Sequence, residues 1–300
     1  MELRIDEQGK ELKYHGTYGF PVNVGRKRIS SYATGSFPWH WHDEVEFTLV
    51  FSGEMEYRVN ESGYVLRAGE GLFCNADALH TGGRCPVEQA PDCDYVSITV
   101  HPRFLYGYEG SVLRTKYVAG VAVSSVHLTQ AVPWQRQALS ALKEIYQLLL
   151  EKPELYELSV QRLFLEIWAG LYRHHAVDAE NAPAEDPEKL QRLRVLLSFL
   201  HSHYQERLTL EDAARQVNLS KSECCRFFKK QMDLSIFDYL LDYRVGQSLK
   251  LLKSGKTVAE AAAEAGFSSP AYFAKVFRAH TGRSPRQYRR EAELSGGNTP

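Results

Sequence analysis

Polar and apolar positions alternate, with the two-residue period of half-buried strands, through a series of short runs between about residues 10 and 127. Phe47-Thr-Leu-Val-Phe51, Met55-Glu-Tyr-Arg-Val59 and Tyr95-Val-Ser-Ile-Thr-Val100 are the clearest, divided by the turn formers Gly53, Asn60 to Gly63 and Gly69 to Gly71. Short strands at such spacing predict an antiparallel barrel or sandwich. From Pro133 the period lengthens to that of a helix. Leu139, Leu142, Ile145, Tyr146 and Leu149 share one face, and Leu155, Leu158, Leu163, Phe164, Ile167, Trp168 and Leu171 share another, with Pro153 dividing the two helices. Two uses for these stripes are open: both pack on the β domain and on each other, or one stays exposed and joins two copies of the chain.

The last third of the chain repeats itself. Thr209-Leu-Glu-Asp-Ala-Ala-Arg-Gln-Val-Asn-Leu-Ser220 aligns with Thr257-Val-Ala-Glu-Ala-Ala-Ala-Glu-Ala-Gly-Phe-Ser268 at a constant offset of 48. With one extra residue in the second copy, Arg226 falls on Lys275, Phe228 on Phe277, Lys229 on Arg278, Ser235 on Ser284 and Tyr239 on Tyr288. Helix starts are marked by the capping boxes Ser220-Lys-Ser-Glu223 and Thr257-Val-Ala-Glu260, and by proline in Ser269-Pro270 and Ser284-Pro285. Asn218 and Gly266 occupy equivalent tight turns, where the chain needs a residue tolerant of left-handed backbone. A long helix from Ser235 to about Ser254 is expected to join the copies. Two helix-turn-helix units side by side suit two neighbouring grooves of double-stranded DNA.

Composition divides the chain at the same place. Three hundred residues, 44% of them hydrophobic, allow two soluble domains, and the net charge of −1 hides an asymmetry. Beyond the acidic, proline-bearing stretch 176–187, residues 188–300 hold 19 Lys and Arg against 12 Asp and Glu, whereas residues 1–187 hold 17 against 25. A basic module, suited to phosphate, therefore follows an acidic one. Cys74, Cys85, Cys93, Cys224 and Cys225 lack metal-binding spacing, and the first ten residues have no apolar signal core. No run approaches the roughly 18 to 20 apolar residues that cross a bilayer. Free thiols in a reducing cytoplasm, away from any membrane, are expected.

On the two recognition helices Cys224, Phe227 and Phe228, and Phe273, Val276 and Phe277, are expected to pack inward. Lys221, Ser222, Cys225, Arg226, Lys229 and Lys230 are then outward on the first, with Pro270, Ala271, Tyr272, Lys275 and Arg278 on the second. Arg226 and Lys275 are the expected base readers, since Arg or Lys meets guanine O6 and N7 from such positions. Lys229, Lys230 and Arg278 lie one turn later and are expected to hold phosphate. Arg244 on the joining helix suits an internal bracket as well as DNA.

These residues resemble the DNA-binding domain of the AraC/XylS family of bacterial transcription regulators. The likeness covers about 100 residues and is carried by Leu208-Thr-Leu-Glu-Asp-Ala-Ala, Arg226-Phe-Phe-Lys-Lys, Tyr243-Arg-Val, Val258-Ala-Glu-Ala-Ala-Ala-Glu-Ala-Gly-Phe-Ser268, Tyr272-Phe-Ala-Lys-Val-Phe-Arg278 and Gly282-Arg-Ser-Pro-Arg-Gln-Tyr-Arg289. It implies base contacts at Ser222, Cys225 and Arg226 and at Pro270, Ala271, Tyr272 and Lys275. Several of the second set are short or apolar, which suits thymine methyls and groove shape.

His40-Trp-His42-Asp-Glu-Val-Glu46, with Gly53 and later His80, is the other constellation. On a regular strand His40 and His42 share a face with Glu46, Trp39 and Trp41 point the other way, and His80 joins from a neighbouring strand. Three imidazoles and a carboxylate suit Fe, Mn, Ni or Zn. The pattern resembles the first motif of the cupin superfamily. In the second motif, Gly69 to His80, Asn75 stands where proline is usual and the glycine before the histidine is missing. Regulators like this one often carry the same text around an organic effector. Three roles are therefore open for His40, His42, Glu46 and His80: effector contact, divalent metal ligation, or strand structure alone. Phe37, Trp39, Trp41, Phe47 and Tyr57 are expected to fill the core or to line a sugar- or aromatic-sized cavity.

The expected chain is an α+β multidomain protein: a cupin-like β-barrel sensor over residues 1–130, a helical pair for dimerisation or packing over 131–175, a linker over 176–187, an all-α tandem helix-turn-helix domain over 188–290, and a flexible tail over 291–300. Its expected function is sequence-specific transcription regulation, by activation, under a small-molecule effector such as a sugar or related metabolite. Double-stranded DNA, the effector, RNA polymerase and a second copy are the expected partners, with no cofactor and no enzymatic activity. The competing reading is a metal-dependent cupin oxygenase or isomerase fused to a DNA-binding module.

Overall fold

The computed structural model describes residues 5–6, 9–12, 15–85, 91–176 and 187–296. The described residues form two compact units, one within residues 10–176 and the other of residues 187–296 with residues 5, 6 and 9. The expected linker lies almost entirely at 177–186, outside the described residues.

In the first unit β1 (Val22–Arg28), β8 (Asp94–Val100), β3 (Val45–Ser52), β6 (Gly71–Cys74) and β9 (Ser125–Leu128) form, in that order, a five-stranded sheet. A four-stranded sheet runs β2 (Ser36–His40), β7 (His80–Arg84), β4 (Glu54–Val59), β5 (Ser62–Arg67). All of these pairings are antiparallel. The architecture is cupin-like, but the expected barrel is not closed: each sheet keeps two edge strands, so the unit is a two-sheet sandwich.

Strand β3 uses both its faces. Glu46, Thr48 and Val50 point between the sheets, where they meet Tyr57 of β4 and the buried Phe37, Met55 and Leu72. Phe47 and Leu49 point the other way, into a core shared with two helices, so Phe47 does not line the cavity. Those helices are α2 (Pro133–Glu151) and α3 (Tyr156–His175), reached from β8 through the short α1 (Arg103–Tyr106) and from β9. Their buried stripes, Ala138, Leu139, Leu142, Ile145, Tyr146 and Leu149 on α2 and Val160, Leu163, Phe164, Ile167, Trp168 and Leu171 on α3, pack on the five-stranded sheet. Gly71 makes the approach possible: a Cβ there would lie 2.5 Å from the Thr48 carbonyl oxygen and 3.0 Å from the Leu139 side chain. Packing on the β domain, one of the two uses open for this pair, is thus seen in the sensor core. Leu155 and Leu158, assigned to the second stripe by spacing, are exposed, because the chain enters α3 through a left-handed Leu155 and burial starts at Val160. Beyond α3, Val121 forms an antiparallel bridge with Ala176.

The second unit is all helical: α4 (Pro187–Ser202), α5 (Leu210–Gln216), α6 (Lys221–Met232), α7 (Ile236–Lys253), α8 (Val258–Glu264), α9 (Pro270–Thr281) and α10 (Pro285–Gly296). Helix α7 joins the repeats, and its Val245, Leu249 and Leu252 meet Ala261, Ala262, Phe273 and Phe277 of α8 and α9 in one core. Helix α10 continues to Gly296, into the stretch expected to be a tail, with an Arg289–Glu293 pair at 2.8 Å on its side. Residues 297–300 lie outside the described residues.

Candidate functional site

Each recognition helix starts where a side chain closes its first turn. For α6, Ser220 accepts from the Glu223 amide while the Glu223 carboxylate accepts from the Ser220 amide, a complete capping box. For α9, Ser269 accepts from the Tyr272 amide and Pro270 fills the first helical position. The turns before them are matched as well, with Asn218 at φ 52° and Gly266 at φ 80°. Cys224 and Phe228, and Phe273, Val276 and Phe277, are buried, while Phe227 is half-buried. This fixes the rotation of both helices. Lys221, Ser222, Cys225, Arg226, Lys229 and Lys230 on α6, and Pro270, Ala271, Tyr272, Lys275 and Arg278 on α9, are all exposed. Lys221 is drawn 3.5 Å from Glu211 of α5. Arg244 is an internal bracket: its guanidinium donates to the Tyr204 and Glu206 carbonyls, both at 2.7 Å, and holds the α4–α5 connection.

Between the sheets of the first unit the structure brings together all four residues singled out by the cupin-like pattern. His40 on β2 stands opposite His80 on β7, with ring centroids 4.1 Å apart, and His42 lies 5.1 Å from His80. The local geometry differs from a regular strand. Between Phe37 and His40 the register of β2 shifts against β7, so both rings point inward, and β2 ends at His40. His42 comes from the turn that follows. Each histidine is oriented by the backbone: Nδ1 of His40, His42 and His80 faces the carbonyl oxygens of Pro38, Glu44 and Ala78 at 3.0, 2.9 and 2.9 Å. A carbonyl only accepts, so Nδ1 carries the proton and Nε2 offers its lone pair.

The three histidines place one ligand nitrogen each within 4.8 Å of one another, and Nε2 of His42 and of His80 is buried without a hydrogen-bond partner. Glu46 completes the group: its Oε1 accepts from Tyr57 at 2.8 Å and Thr48 at 3.2 Å, leaving Oε2 3.7 Å from His42 Nε2. Buried nitrogens with free lone pairs, backbone-fixed tautomers and a carboxylate braced on one oxygen are what a divalent ion requires, so the residues fit a metal. Burial, and then the neighbouring histidines, hold His40 well below its usual range. Burial brings His80 down to about 4. Burial opposes charge on His42 too, but Glu46, with Glu44 and Glu11, outweighs it and raises the value. For Glu46 burial acts upward, yet His42 and the other two rings hold it well below the usual carboxylate range.

The cleft above this group is lined further by Lys27, Tyr32, Tyr95, Ser97, Glu11 and His15. Sequence reasoning missed Glu11 and His15; their four-residue spacing of an acid and a histidine was the available signal. Asn75 explains the departure from the cupin-like text. Its side chain donates to the Val121 and Val123 carbonyls, both at 3.0 Å, and accepts from the Ala76 amide. A proline there has no such donor.

A tandem reader of DNA attached to a domain with a buried polar cleft defines a ligand-responsive transcription regulator. The description of an AraC-like ligand binding domain matches residues 27–197, and that of a helix-turn-helix domain matches residues 213–291. The uncharacterized HTH-type transcriptional regulator YdeC of Bacillus subtilis strain 168 is 32% identical over 293 residues, covering 95% of this chain and 97% of that one. The melibiose operon regulatory protein of Escherichia coli K12 is 25% identical over 260 residues, 84% of this chain and 83% of its own. The HTH-type transcriptional activator RhaR of Mannheimia succiniciproducens is 25% identical over 270 residues, 90% and 91% of the two chains. The chain belongs to the AraC family of DNA-binding transcription regulators, and its relatives are regulators rather than enzymes.

Proposed function

We propose that this regulator is an activator that works in the cytoplasm as a homodimer, recruits RNA polymerase, and is switched by a sugar or related polyhydroxyl metabolite held between its two sheets. The observation that carries the DNA side is the common exposure of the eleven recognition-helix residues, fixed by burial of the opposite faces. Arg226 and Lys275 read bases; Lys229, Lys230 and Arg278 hold phosphate. The sugar class is supported by the cleft's mixture of Lys27, Tyr32, Tyr95 and Ser97, groups that hydrogen-bond hydroxyls and stack on sugar faces, and by likeness to a regulator of a melibiose operon. Among the described residues, no helix is long and apolar enough to cross a membrane.

The test is quantitative DNA binding by the full chain. Arg226→Ala is expected to cost about 1 to 3 kcal/mol on the specific site and little on random DNA. Lys229→Ala is expected to weaken both alike and to reduce the salt slope by about 1. Equal losses on specific and random DNA for Arg226→Ala reject base reading. Melibiose and its component monosaccharides are the first effectors to titrate; operator affinity that none of them changes counts against the sugar class.

A further inference from the structure

We infer that Glu11 and His15 are working parts of a divalent-metal site built on His40, His42, His80 and Glu46, with Glu11 as an additional acidic partner of the ion and His15 holding Glu11 in place. This departs from the expectation of no cofactor, and it extends beyond the four residues of the cupin-like pattern. It stands apart from the DNA reading, because metal binding and operator binding are measured separately.

Lys10, Glu11 and His15 are seated beside the turn that carries His42. The Glu11 amide donates to the Trp41 carbonyl at 2.9 Å, Lys10 pairs with Trp41, and the Lys10 ammonium lies over the Trp41 ring and 2.6 Å from Asp43. Both side chains that follow are turned into the cleft and almost wholly buried, with Glu11 Oε2 2.9 Å from His15 Nε2. The His15 ring lies 5.0 Å from that of His42, and Glu11, His15 and His42 form a second group whose ligand atoms lie within 4.8 Å.

Two groups sharing one histidine do not make two equal sites. His15 Nε2 is already hydrogen-bonded by Glu11, whereas Nε2 of His42 and of His80 is buried without a hydrogen-bond partner. The ion therefore belongs to the three converging imidazoles, and the outer pair serves it. Charge points the same way. Glu11 and Glu46 are two buried carboxylates around imidazoles, and among the described residues neither pairs with a lysine or arginine. Burying two such charges together is costly unless cations accompany them, and one divalent ion matches both. Three imidazoles select Zn, Co or Ni over Mg or Ca.

The experiment uses the full chain, stripped with chelator, dialysed, and titrated with Zn²⁺ or Co²⁺ alone, with bound metal per chain and Co²⁺ visible absorption as readouts. One ion per chain is expected. His80→Ala is expected to lower affinity at least 100-fold, and Glu11→Gln and His15→Ala about 10- to 100-fold each, with far-UV circular dichroism unchanged. Should Glu11→Gln fail to fold, Glu11→Asp replaces it, with affinity expected between those of wild type and His15→Ala. Wild-type affinity in both the Glu11 and His15 variants, beside loss in His80→Ala, overturns the role of the outer pair. A wild-type chain that holds no ion overturns the whole site.

Discussion

The two helix-turn-helix units share a pattern but enter their recognition helices differently. The first arrives through Asn218 and a full capping box, and α6 then exposes Lys221, Arg226, Lys229 and Lys230. The second arrives through Gly266, its cap is one-sided, and α9 exposes Pro270, Ala271 and Tyr272 ahead of Lys275 and Arg278. The carboxylate of Glu223, needed for the box, also sits at the exposed start of α6, and Glu211 draws Lys221 aside. Part of the first helix's positive charge is thus answered within the protein. The second carries fewer cations and no acid in its first turn. The first recognition helix thus presents charged, hydrogen-bonding side chains, and the second presents small or apolar ones ahead of its two cations.

The two copies differ most at their turns. At Gly266 a Cβ would lie 2.4 Å from the Tyr204 carbonyl oxygen and 2.8 Å from the Gln205 Cα, on backbone at positive φ. Gly266→Ala is expected to cost on the order of 3 kcal/mol, against about 1 kcal/mol for Asn218→Ala, which already carries a side chain in that conformation. Denaturant unfolding of the full chain measures both, and equal costs would show that the turns are interchangeable. Next come the caps. Ser220→Ala breaks a reciprocal box and is expected to cost about 1 kcal/mol, whereas Ser269→Ala removes a single bond from a helix that Pro270 already starts, about 0.5 kcal/mol.

The smallest effect depends on pH. His280 of α9 lies 2.7 Å from Asp242, which raises its pKa, and the equivalent place in the first unit is held by the non-titrating Gln231. The stabilisation from that pair is complete below the unfolded value near 6.5 and is lost as pH rises through the higher folded value. His280→Asn is expected to flatten stability across that window in urea titrations at several pH values. A slope that survives the substitution assigns the dependence elsewhere.

Local chemistry carried most of what was legible in the sequence. Capping residues, turn residues and the helical stripe fix α5 to α9, because each signal acts within one or two turns of its own position. The meeting of His40 with His80 was also legible, since two short motifs name both ends. What escaped depends on contacts distant in sequence. The register shift in β2 is set by its pairing with β7, so alternation alone could not show Phe37 and His40 on one side. Glu11 and His15 lie where the sequence has no regular period; Glu11 is placed by its amide bond to the Trp41 carbonyl, and His15 meets Glu11. Sheet closure, too, is decided by edges that no single strand records.

Asn75 has a consequence beyond replacing a proline. The Asp77 amide donates to the His42 carbonyl, Asn75 two residues earlier grips Val121, and Val121 bridges to Ala176. Three short spans of polar bonding therefore lead from the turn bearing His42, around the apolar core, to the end of α3. The sensor thus has a bonded tether between the turn that bears His42 and Ala176, just beyond α3.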